Sequence, residues 1–554
     1  MESLLELQKE QNMADEKRRI AEEERRAKEE EKKAEEAAVA AQKKAQEEKK
    51  KAQEEALAKK NAELKKQIDS VNNEIQMGKT ALAMGNIDEA MEHFKKAGKN
   101  VPAGSDNKEF WASKDSEIAQ SFFDAANKSE NKDEKSKLMK QAVEMAKKAI
   151  SENPNDATAH YILAQDALSK KDYSTAMAEL KAAVQNDPNN YMYYYELGKV
   201  QYTMKKYAEA ATSFTTACEK KDDFEQARYN LGLSQLKLKN DNEALKAFRH
   251  AIDINPRYEK AYLEEGRILS RRGDFSGAIE AYENVVKINN INTVARIELG
   301  NVYYQAGKLS YAEDSFRSAL SMLSPSEEQI LTKFNLSTVL YDSEKYVEAE
   351  KYAKEAYEGK SYIKNENSRA NIVYNYALIL DKKGDVDNAI PCYMEVLKIN
   401  PKHVKTKLNL GVMYMSLEPP DVDNALSLYK QVYEADKKNF EVNNNLGSAY
   451  LAKEDYANAI LYFQNAIKID SKSNDVRSNL AKAFAQNKDY DNAKVTYTEV
   501  LRMDSKNWDA YIELAKVCMQ LNDNENAEKY LIYVQEKNPS YKSAEVTNLL
   551  SSLN

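Results

Sequence analysis

Histidine and cysteine are the side chains best suited to metal binding or nucleophilic catalysis, and this chain has four of the first and three of the second. They are His93, His160, His250 and His403, together with Cys218, Cys392 and Cys518. A metal site or a catalytic triad needs such residues to converge, yet they follow no shared spacing, and the motifs H-E-x-x-H and G-x-S-x-G do not occur. We therefore expect no enzymatic activity, no metal and no cofactor, and we interpret the cysteines as small core residues.

The composition is typical of a helical protein. Charged residues make up 31% of the 554 positions, and there are 15 Gly and 10 Pro, which indicates helices joined by short loops. The net charge of -8 argues against a nucleic-acid partner, because such a partner requires a basic surface. No uninterrupted apolar run approaches the length of about 18 residues that a membrane span requires, so no integral membrane segment is expected.

The N-terminal sequence MESLLELQKEQNM does not combine a basic start with an apolar stretch, so it does not predict a signal peptide. The three widely separated cysteines fit a reducing compartment. We expect a cytoplasmic protein, or a periplasmic or envelope-associated one if the true N-terminus is longer.

Glycine marks an internal repeat. Gly198, Gly232, Gly266 and Gly300 follow one another at a constant spacing of 34 residues, although a glycine inside a helix costs about 1 kcal/mol relative to alanine. One complete copy, which begins at Phe440, reads FEVNNNLGSAYLAKEDYANAILYFQNAIKIDSKS. Each half carries apolar residues at helical spacing, so each unit is predicted to be two amphipathic helices joined by a tight turn.

The pattern L-G-x2-Y, then A-x3-F, then P resembles the tetratricopeptide repeat (TPR) family. Twelve copies begin near Val71, Ala157, Tyr191, Glu225, Glu259, Thr293, Ile330, Ala370, Val404, Phe440, Asn474 and Trp508. Each copy has an alanine in its second helix, namely Ala90, Ala176, Ala210, Ala244, Ala278, Ala312, Ala349, Ala389, Ala425, Ala459, Ala493 and Ala527. A thirteenth, divergent copy is expected at Ser113–Asp156, with an inter-helix loop longer than in the others.

The resemblance implies an all-α fold, namely a right-handed superhelical TPR solenoid of antiparallel helix pairs preceded by a long charged helix. We divide the chain into four parts. They are a charged Lys/Glu/Ala-rich helix or weak coiled coil (1–70), the first TPR with the divergent unit (71–156), a contiguous TPR solenoid (157–540) and a C-terminal capping helix (541–554).

Residues 1–70 contain 18 Lys and Arg and 19 Asp and Glu, and acid–base pairs at i, i+4 such as Glu22–Arg26 support a helix. Their alanines, among them Ala38, Ala45 and Ala52, form a heptad-like seam of small residues. Two alternatives are open: a single helix that acts as a spacer, and self-association through 1–70. The segment also resembles the Lys/Ala/Glu-rich linker helices of cell-envelope proteins.

Asparagine recurs at the sixth position of the first helix in six repeats, a place where helix propensity does not favour it. These residues are Asn230, Asn335, Asn375, Asn409, Asn445 and Asn479. In the family this position faces the concave groove, and the row resembles the asparagine ladder in the TPR arm of O-linked N-acetylglucosamine transferase. The carboxamides would bind the backbone of an extended peptide. The alternative is that they bond to the neighbouring repeat and only tie the stack together.

Other repeats have glutamate at the same position, namely Glu196, Glu264, Glu298 and Glu513. These acids predict either a ligand with basic residues or a solvated acidic face. The carboxylate clamp of chaperone-tail binders, a TPR subclass, is not expected. Asn230 fills its middle role, but Glu264 stands where the clamp requires arginine.

We therefore expect a non-enzymatic scaffold that binds extended segments of other proteins in its concave groove, mainly along residues 330–507. Two alternatives are a structural component of a larger assembly, for instance in the cell envelope, and a targeting or regulatory subunit of an enzyme.

Overall fold

The computed structural model describes residues 2–99 and 108–553, and every regular element within them is a helix. The chain forms two compact units, 1–256 and 257–554. The helices of the first unit are α1 (Glu2–Ala83), α2 (Ile87–Lys99), α3 (Lys108–Lys128), α4 (Lys132–Glu152), α5 (Ala157–Ser169), α6 (Tyr173–Asn186), α7 (Tyr191–Thr203), α8 (Tyr207–Lys220), α9 (Glu225–Lys237) and α10 (Asp241–Ile254).

The second unit continues the same alternation of short helices. Its helices are α11 (Glu259–Arg271), α12 (Phe275–Ile288), α13 (Thr293–Gln305), α14 (Leu309–Leu320), α15 (Glu327–Asp342), α16 (Tyr346–Glu358), α17 (Glu366–Lys382), α18 (Val386–Ile399), α19 (Val404–Ser416), α20 (Val422–Ala435), α21 (Phe440–Ala452), α22 (Tyr456–Ile469), α23 (Asn474–Gln486), α24 (Tyr490–Met503), α25 (Trp508–Gln520), α26 (Asn524–Lys537) and α27 (Ser543–Leu553). A short 3-10 turn, Lys360–Tyr362, follows α16.

Consecutive helices pack as pairs because a short turn reverses the chain between them. Each odd-numbered helix lies against the next helix in the chain, and each pair lies against its neighbours within its unit. The predicted all-α fold of stacked helix pairs behind a long charged helix is therefore confirmed.

Small residues allow the two helices of a pair to approach closely. A Cβ atom on Gly447 would lie 2.6 Å from the ring of Phe463, so the absence of a side chain on α21 makes room for the aromatic ring of α22. Gly411 and Tyr429 have the same relationship in the preceding pair. The twelve alanines predicted in the second helices are all completely buried.

The turn inside each pair is a defined structure. In eleven of the thirteen pairs that the structure describes, the residue that precedes the cap of the second helix has a positive φ, for example Lys171, Lys488 and Gly307, whereas the turns of α3–α4 and α19–α20 contain no such residue. The cap itself is often an aspartate, and the Asp455 carboxylate accepts a hydrogen bond from the backbone N–H of Asn458 at 3.2 Å. The repeated K-x-D pattern of the loops therefore encodes a left-handed turn residue followed by an N-cap.

The divergent unit is more regular than its sequence suggested. Helices α3 and α4 are 21 residues each and are joined through only residues 129–131. The prediction of a unit beginning at Ser113 with a long inter-helix loop was wrong, because the additional residues lengthen both helices instead. Trp111, Ile118 and Phe122 keep one face of α3 apolar and buried along its length.

Helix α1 runs without a break from the charged segment into the first repeat. Side chains up to Glu63 are exposed, Leu64 is half-buried, and Val71 and Ile75 are buried against the repeat. The bare part of α1, residues 2–63, would be roughly 90 Å long at about 1.5 Å per residue. Glu22 and Arg26 approach within 3.9 Å, with both side chains largely exposed.

At the other end of the chain, α27 covers the last repeat. Val546 is buried, and two ion pairs hold α27 and the turn before it. Lys516 lies 2.7 Å from Glu545, and Lys542 lies 2.7 Å from Asp509.

Candidate functional site

We call the sixth residue of each repeat, from the repeat that begins with α7 to the one that begins with α25, a ladder position. The ten ladder positions comprise the six asparagines and the four glutamates named above, from Glu196 on α7 to Glu513 on α25. Each side chain follows the same local geometry, because the next two positions are usually Leu and Gly or Ala, which enter the core. The ladder side chains therefore lie at the edge of the packed contact between adjacent repeats. From there they can bond either to the neighbouring repeat or to a ligand.

The four ladder glutamates are engaged by bases of the chain itself. Glu196 bonds to Lys199 at 2.9 Å, and Glu513 bonds to Lys516 at 2.7 Å. Arg267 pairs with Glu264 at 2.5 Å and also lies 3.9 Å from Glu298. Three of these pairs place a base three residues after the acid, where helical neighbours meet, so the glutamates do not present unpaired charges to a ligand.

Two of the asparagines donate one hydrogen bond each to the preceding repeat. The Nδ2 of Asn230 donates to the Tyr195 hydroxyl at 3.1 Å. The Nδ2 of Asn335 donates to the Asn301 Oδ1 at 3.0 Å. Both residues therefore stabilise the contact between adjacent first helices.

Asn375 is the most tightly held member of the ladder, with 8% of its surface exposed. Its Oδ1 accepts a hydrogen bond from the Ser337 hydroxyl at 2.8 Å, and its Nδ2 donates to the Thr338 Oγ1 at 3.2 Å. Both ends of the carboxamide are thus used within the stack, so Asn375 ties two repeats together.

Asn409 is held by two tyrosines. Its Nδ2 lies 3.2 Å from the Tyr374 hydroxyl and 3.3 Å from the Tyr393 hydroxyl. Burial raises the pKa of both phenols above the ordinary value of 10, and the hydrogen bond from Asn409 acts in the opposite direction. The hydroxyls therefore remain neutral at physiological pH.

Asn445 and Asn479 differ from the other four asparagines. Both are half-buried on successive first helices, α21 and α23, and neither carboxamide has a hydrogen-bond partner among the described residues. The preceding repeat explains the difference for Asn445. Its fifth and ninth positions, which supply hydrogen-bond partners in other repeats, are occupied by Leu408 and Val412, whose side chains cannot form hydrogen bonds.

The sequence reasoning did not identify the groups that bond the other asparagines. Tyr195 and Tyr374 each stand 35 residues before a ladder asparagine and bond to it. This spacing, from the fifth position of one first helix to the sixth of the next, is a signal that the sequence contains.

Three of the four histidines are occupied in structural contacts, and the fourth, His250, is exposed on α10. His93 lies 2.8 Å from Glu74, and His160 lies 2.6 Å from Glu179, each within one helix pair. The His403 ring accepts a hydrogen bond from the backbone of Thr406 at the start of α19. Within residues 2–99 and 108–553, no group of three or more His, Cys, Asp or Glu is arranged to hold a metal ion.

The three cysteines are buried and unpaired with one another. Burial raises the pKa of the Cys218 and Cys392 thiols to about 11, and it also raises the pKa of Cys518. The nucleophilic thiolate is therefore scarce at neutral pH, as expected for core residues.

A cleft of about 1580 Å³ opens in the first unit between α1 and α7. Its charged groups are largely paired: Glu117 bonds to Lys79 at 2.6 Å and to Lys114 at 2.9 Å. Asp156 accepts from the Ser116 hydroxyl and from the backbone of Ala159, which caps α5. The cleft is therefore a polar hollow whose hydrogen bonds are mostly made within the chain.

Sequence comparison with known families agrees with this geometry. One tetratricopeptide-repeat model matches residues 195–259, 263–327 and 421–474, a second matches 370–403, and a third matches 484–553. The chain belongs to the tetratricopeptide-repeat family. A further model, described as subunit 3 of the anaphase-promoting complex, cyclosome, matches residues 135–217. No curated protein matches the sequence.

Several solved structures match parts of this chain. MamA is 26% identical over 30% of this chain and 91% of its own, with a TM-score of 0.29. YrrB, described as a TPR protein with an unusual peptide-binding site, is 24% identical over 32% of this chain and 93% of its own, with a TM-score of 0.30. The Cut9–Hcn1 complex of the anaphase-promoting complex gives 15% identity over 76% of this chain and 94% of the matched one, with a TM-score of 0.35.

TPR proteins are generally non-catalytic scaffolds for protein interaction, and this chain has the fold of such a scaffold. In the part of the chain that the structure describes, no helix combines the length and apolarity needed to cross a membrane.

Proposed function

We propose that the chain is a scaffold that captures an extended segment of a partner protein on the first helices of the repeats that begin at Phe440 and Asn474. The observation that carries this proposal is the contrast within the ladder. Four asparagines are hydrogen-bonded to side chains of the neighbouring repeat, whereas the carboxamides of Asn445 and Asn479 form no hydrogen bond among the described residues.

A free carboxamide suits this role because it both donates and accepts. One side chain can bond the C=O and the N–H of an extended backbone without selecting its side chains. Two such groups at equivalent positions of consecutive repeats would hold a segment in one register. The proposal therefore places the binding site in the C-terminal part of the predicted region 330–507, on the repeats that begin at Phe440 and Asn474.

The proposal is tested by affinity capture followed by mass spectrometry, with Asn445→Ala/Asn479→Ala compared with wild type. The matched control is Asn230→Ala/Asn335→Ala, which removes two ladder carboxamides that already have partners in the chain. We expect the first variant to capture at least about tenfold less of the partner than wild type, since two hydrogen bonds are removed. The control should capture the same amount as wild type. Circular dichroism establishes that all three proteins are folded.

Identical partners for all three proteins would contradict the groove proposal and favour assembly through the second helices of the pairs. One observation supports that second function. Leu461 and Val495 occupy equivalent positions of α22 and α24 and are 48% and 60% exposed. Ile469 and Met503, one repeat apart on the same helices, are 41% and 42% exposed. Charge substitutions at these four residues would then abolish the interaction.

A further inference from the structure

Two carboxylates accompany the free asparagines. Glu441 lies one helical turn before Asn445 on α21, and Asp475 lies one turn before Asn479 on α23, so each acid shares a helix face with its amide. Both acids are exposed, and neither has an ion-pair or hydrogen-bond partner among the described residues. Two consecutive repeats thus present the same acid–amide pair.

The neighbouring repeats do not present this pair. In the repeat that follows, Asp509 bonds to Lys542 and Glu513 bonds to Lys516, each at 2.7 Å. In the repeat that precedes, the position of the acid is occupied by Lys405. The unpaired acids are therefore confined to the two repeats whose ladder amides are also free.

The same two helices have an excess of hydrogen-bond acceptors. The Oδ1 atoms of Asn443, Asn444 and Asn474 are buried without a donor within the described residues. These three oxygens are enclosed within the stack, so the polar groups that a ligand meets at this surface are the exposed carboxylates of Glu441 and Asp475 and the half-buried carboxamides of Asn445 and Asn479.

Both acids lie in the first turn of their helices. An acidic side chain is favourable in this place, because the N-terminus of a helix carries a partial positive charge. Lys482, three residues after Asn479, is exposed on the opposite side of the amide. It supplies one donor for a carbonyl oxygen of the ligand.

We propose that the segment bound here is basic: its Arg or Lys side chains pair with Glu441 and Asp475 while its backbone bonds to Asn445 and Asn479. This inference rests on the proposed function, because it assigns a ligand chemistry to the same surface. Arginine suits the site best, because its planar fork of donors can bond both oxygens of a carboxylate.

The test is a fluorescence-anisotropy titration of the full chain with three labelled peptides of about ten residues, which span at most about 35 Å when extended. They alternate Gly with Arg, with Gln or with Glu. We expect the Arg peptide to bind most tightly, and we expect Glu441→Gln/Asp475→Asn to weaken it about tenfold. The Gln peptide should be unaffected by this double substitution. The control Glu454→Gln/Asp491→Asn, which removes equal charge from the inter-helix turn and the start of α24 in the same repeats, should change neither.

The possible failures separate the two proposals. If the Arg and Gln peptides bind equally, and Asn445→Ala/Asn479→Ala abolishes the binding of both, the groove proposal is correct and the proposal of a basic ligand is wrong. If no peptide responds to Asn445→Ala/Asn479→Ala, the groove proposal itself is overturned. Equal binding of the Arg peptide to wild type and to Glu441→Gln/Asp475→Asn, or no binding of it at all, rejects the basic ligand.

Discussion

The Tyr374 hydroxyl accepts a hydrogen bond from Asn409 across 35 positions of sequence, and Tyr195 is bonded to Asn230 in the same manner. A tyrosine at the fifth position of one first helix therefore occupies the ladder asparagine of the next. At Leu408 this tyrosine is absent, and Asn445, the ladder asparagine that follows, has no hydrogen-bond partner among the described residues. In two other repeats where the tyrosine is absent, Asn301, Ser337 and Thr338 at the eighth or ninth position supply the partner instead, so three positions of one repeat can tie the ladder asparagine of the next.

Leu408→Tyr is predicted to close the free position at Asn445. Leu408 is buried at the place that Tyr195 and Tyr374 occupy in their own repeats, so the larger side chain has a precedent in the same chain. We expect the Asn445 side-chain amide to become protected in hydrogen-exchange NMR and the captured partner to decrease. An unprotected Asn445 amide in this variant would show that the spacing rule is wrong.

Asn375→Ala is expected to destabilise the protein, because both ends of this buried carboxamide are hydrogen-bonded. Loss of these bonds leaves Ser337 and Thr338 with fewer partners and lowers the free energy of unfolding by about 1–3 kcal/mol. Asn445→Ala serves as the control and should change the free energy of unfolding by less than about 0.5 kcal/mol. Thermal unfolding followed by circular dichroism measures both, and equal effects would contradict the division of the ladder.

Gly447→Ala is expected to destabilise the pair α21–α22. The new Cβ would lie 2.6 Å from the ring of the fully buried Phe463, and overpacking of this kind costs about 1–3 kcal/mol. Gly98→Ala is the matched control, since Gly98 is also in a helix and a Cβ there meets no atom within 4 Å. That substitution should raise the thermal midpoint, because alanine is favoured over glycine in helices by about 1 kcal/mol. A shared sign for the two changes would refute the packing argument.

The contact between Asp509 and Lys542 gives the C-terminal end a dependence on pH. The pKa of Asp509 is lowered from its ordinary value of 3.8, chiefly by the hydrogen bond from Lys542. A lowered pKa stabilises the folded state at pH values above 3.8, and the contribution is lost as the pH falls through the lowered value. The thermal midpoint of wild type should therefore exceed that of Asp509→Asn at pH 7, and the difference should decline as the pH falls below 3.8 and vanish below the lowered pKa of Asp509. A constant difference across this range would exclude the ion pair as its source.

Deletion of residues 2–63 is expected to leave the thermal midpoint of the repeats unchanged, because these side chains are exposed along α1. A longer deletion through Gly78 should lower it, since Val71 and Ile75 are then removed from the core. Sedimentation should give the same oligomeric state with and without residues 2–63, as expected of a spacer with a seam of small residues. A dimer that requires residues 2–63 would support self-association instead.

The positions of the helices were largely predictable, because each repeat carries its own periodicity and turn signal. The repeat starts at Tyr191, Phe440 and Trp508 are the first residues of α7, α21 and α25. The error in the divergent unit arose because α3 and α4 lack the usual turn motif and extend until Ser129 and Asn131 interrupt them.

The ladder itself was visible in the sequence, but the use of each asparagine was not. A side-chain hydrogen bond depends on which side chain the preceding repeat places within hydrogen-bonding distance, and Asn301, Ser337 and Tyr374 are three different partners of this kind. Only the tyrosine spacing is a regular signal. The pairing of Glu264 and Glu513 with a base three residues later follows a known helical rule and could have been anticipated.

Helix α1 has no flexible joint where its charged part meets the first repeat, since the hydrogen-bonded backbone continues from Glu2 to Ala83. The bare part therefore behaves as a cantilever, clamped at one end by Val71 and Ile75. A force applied at its tip produces a bending moment at the clamp, multiplied by a lever arm of roughly 90 Å. The first repeat would then be the part of the chain that experiences mechanical load, and its packing determines how much load the protein withstands before it opens.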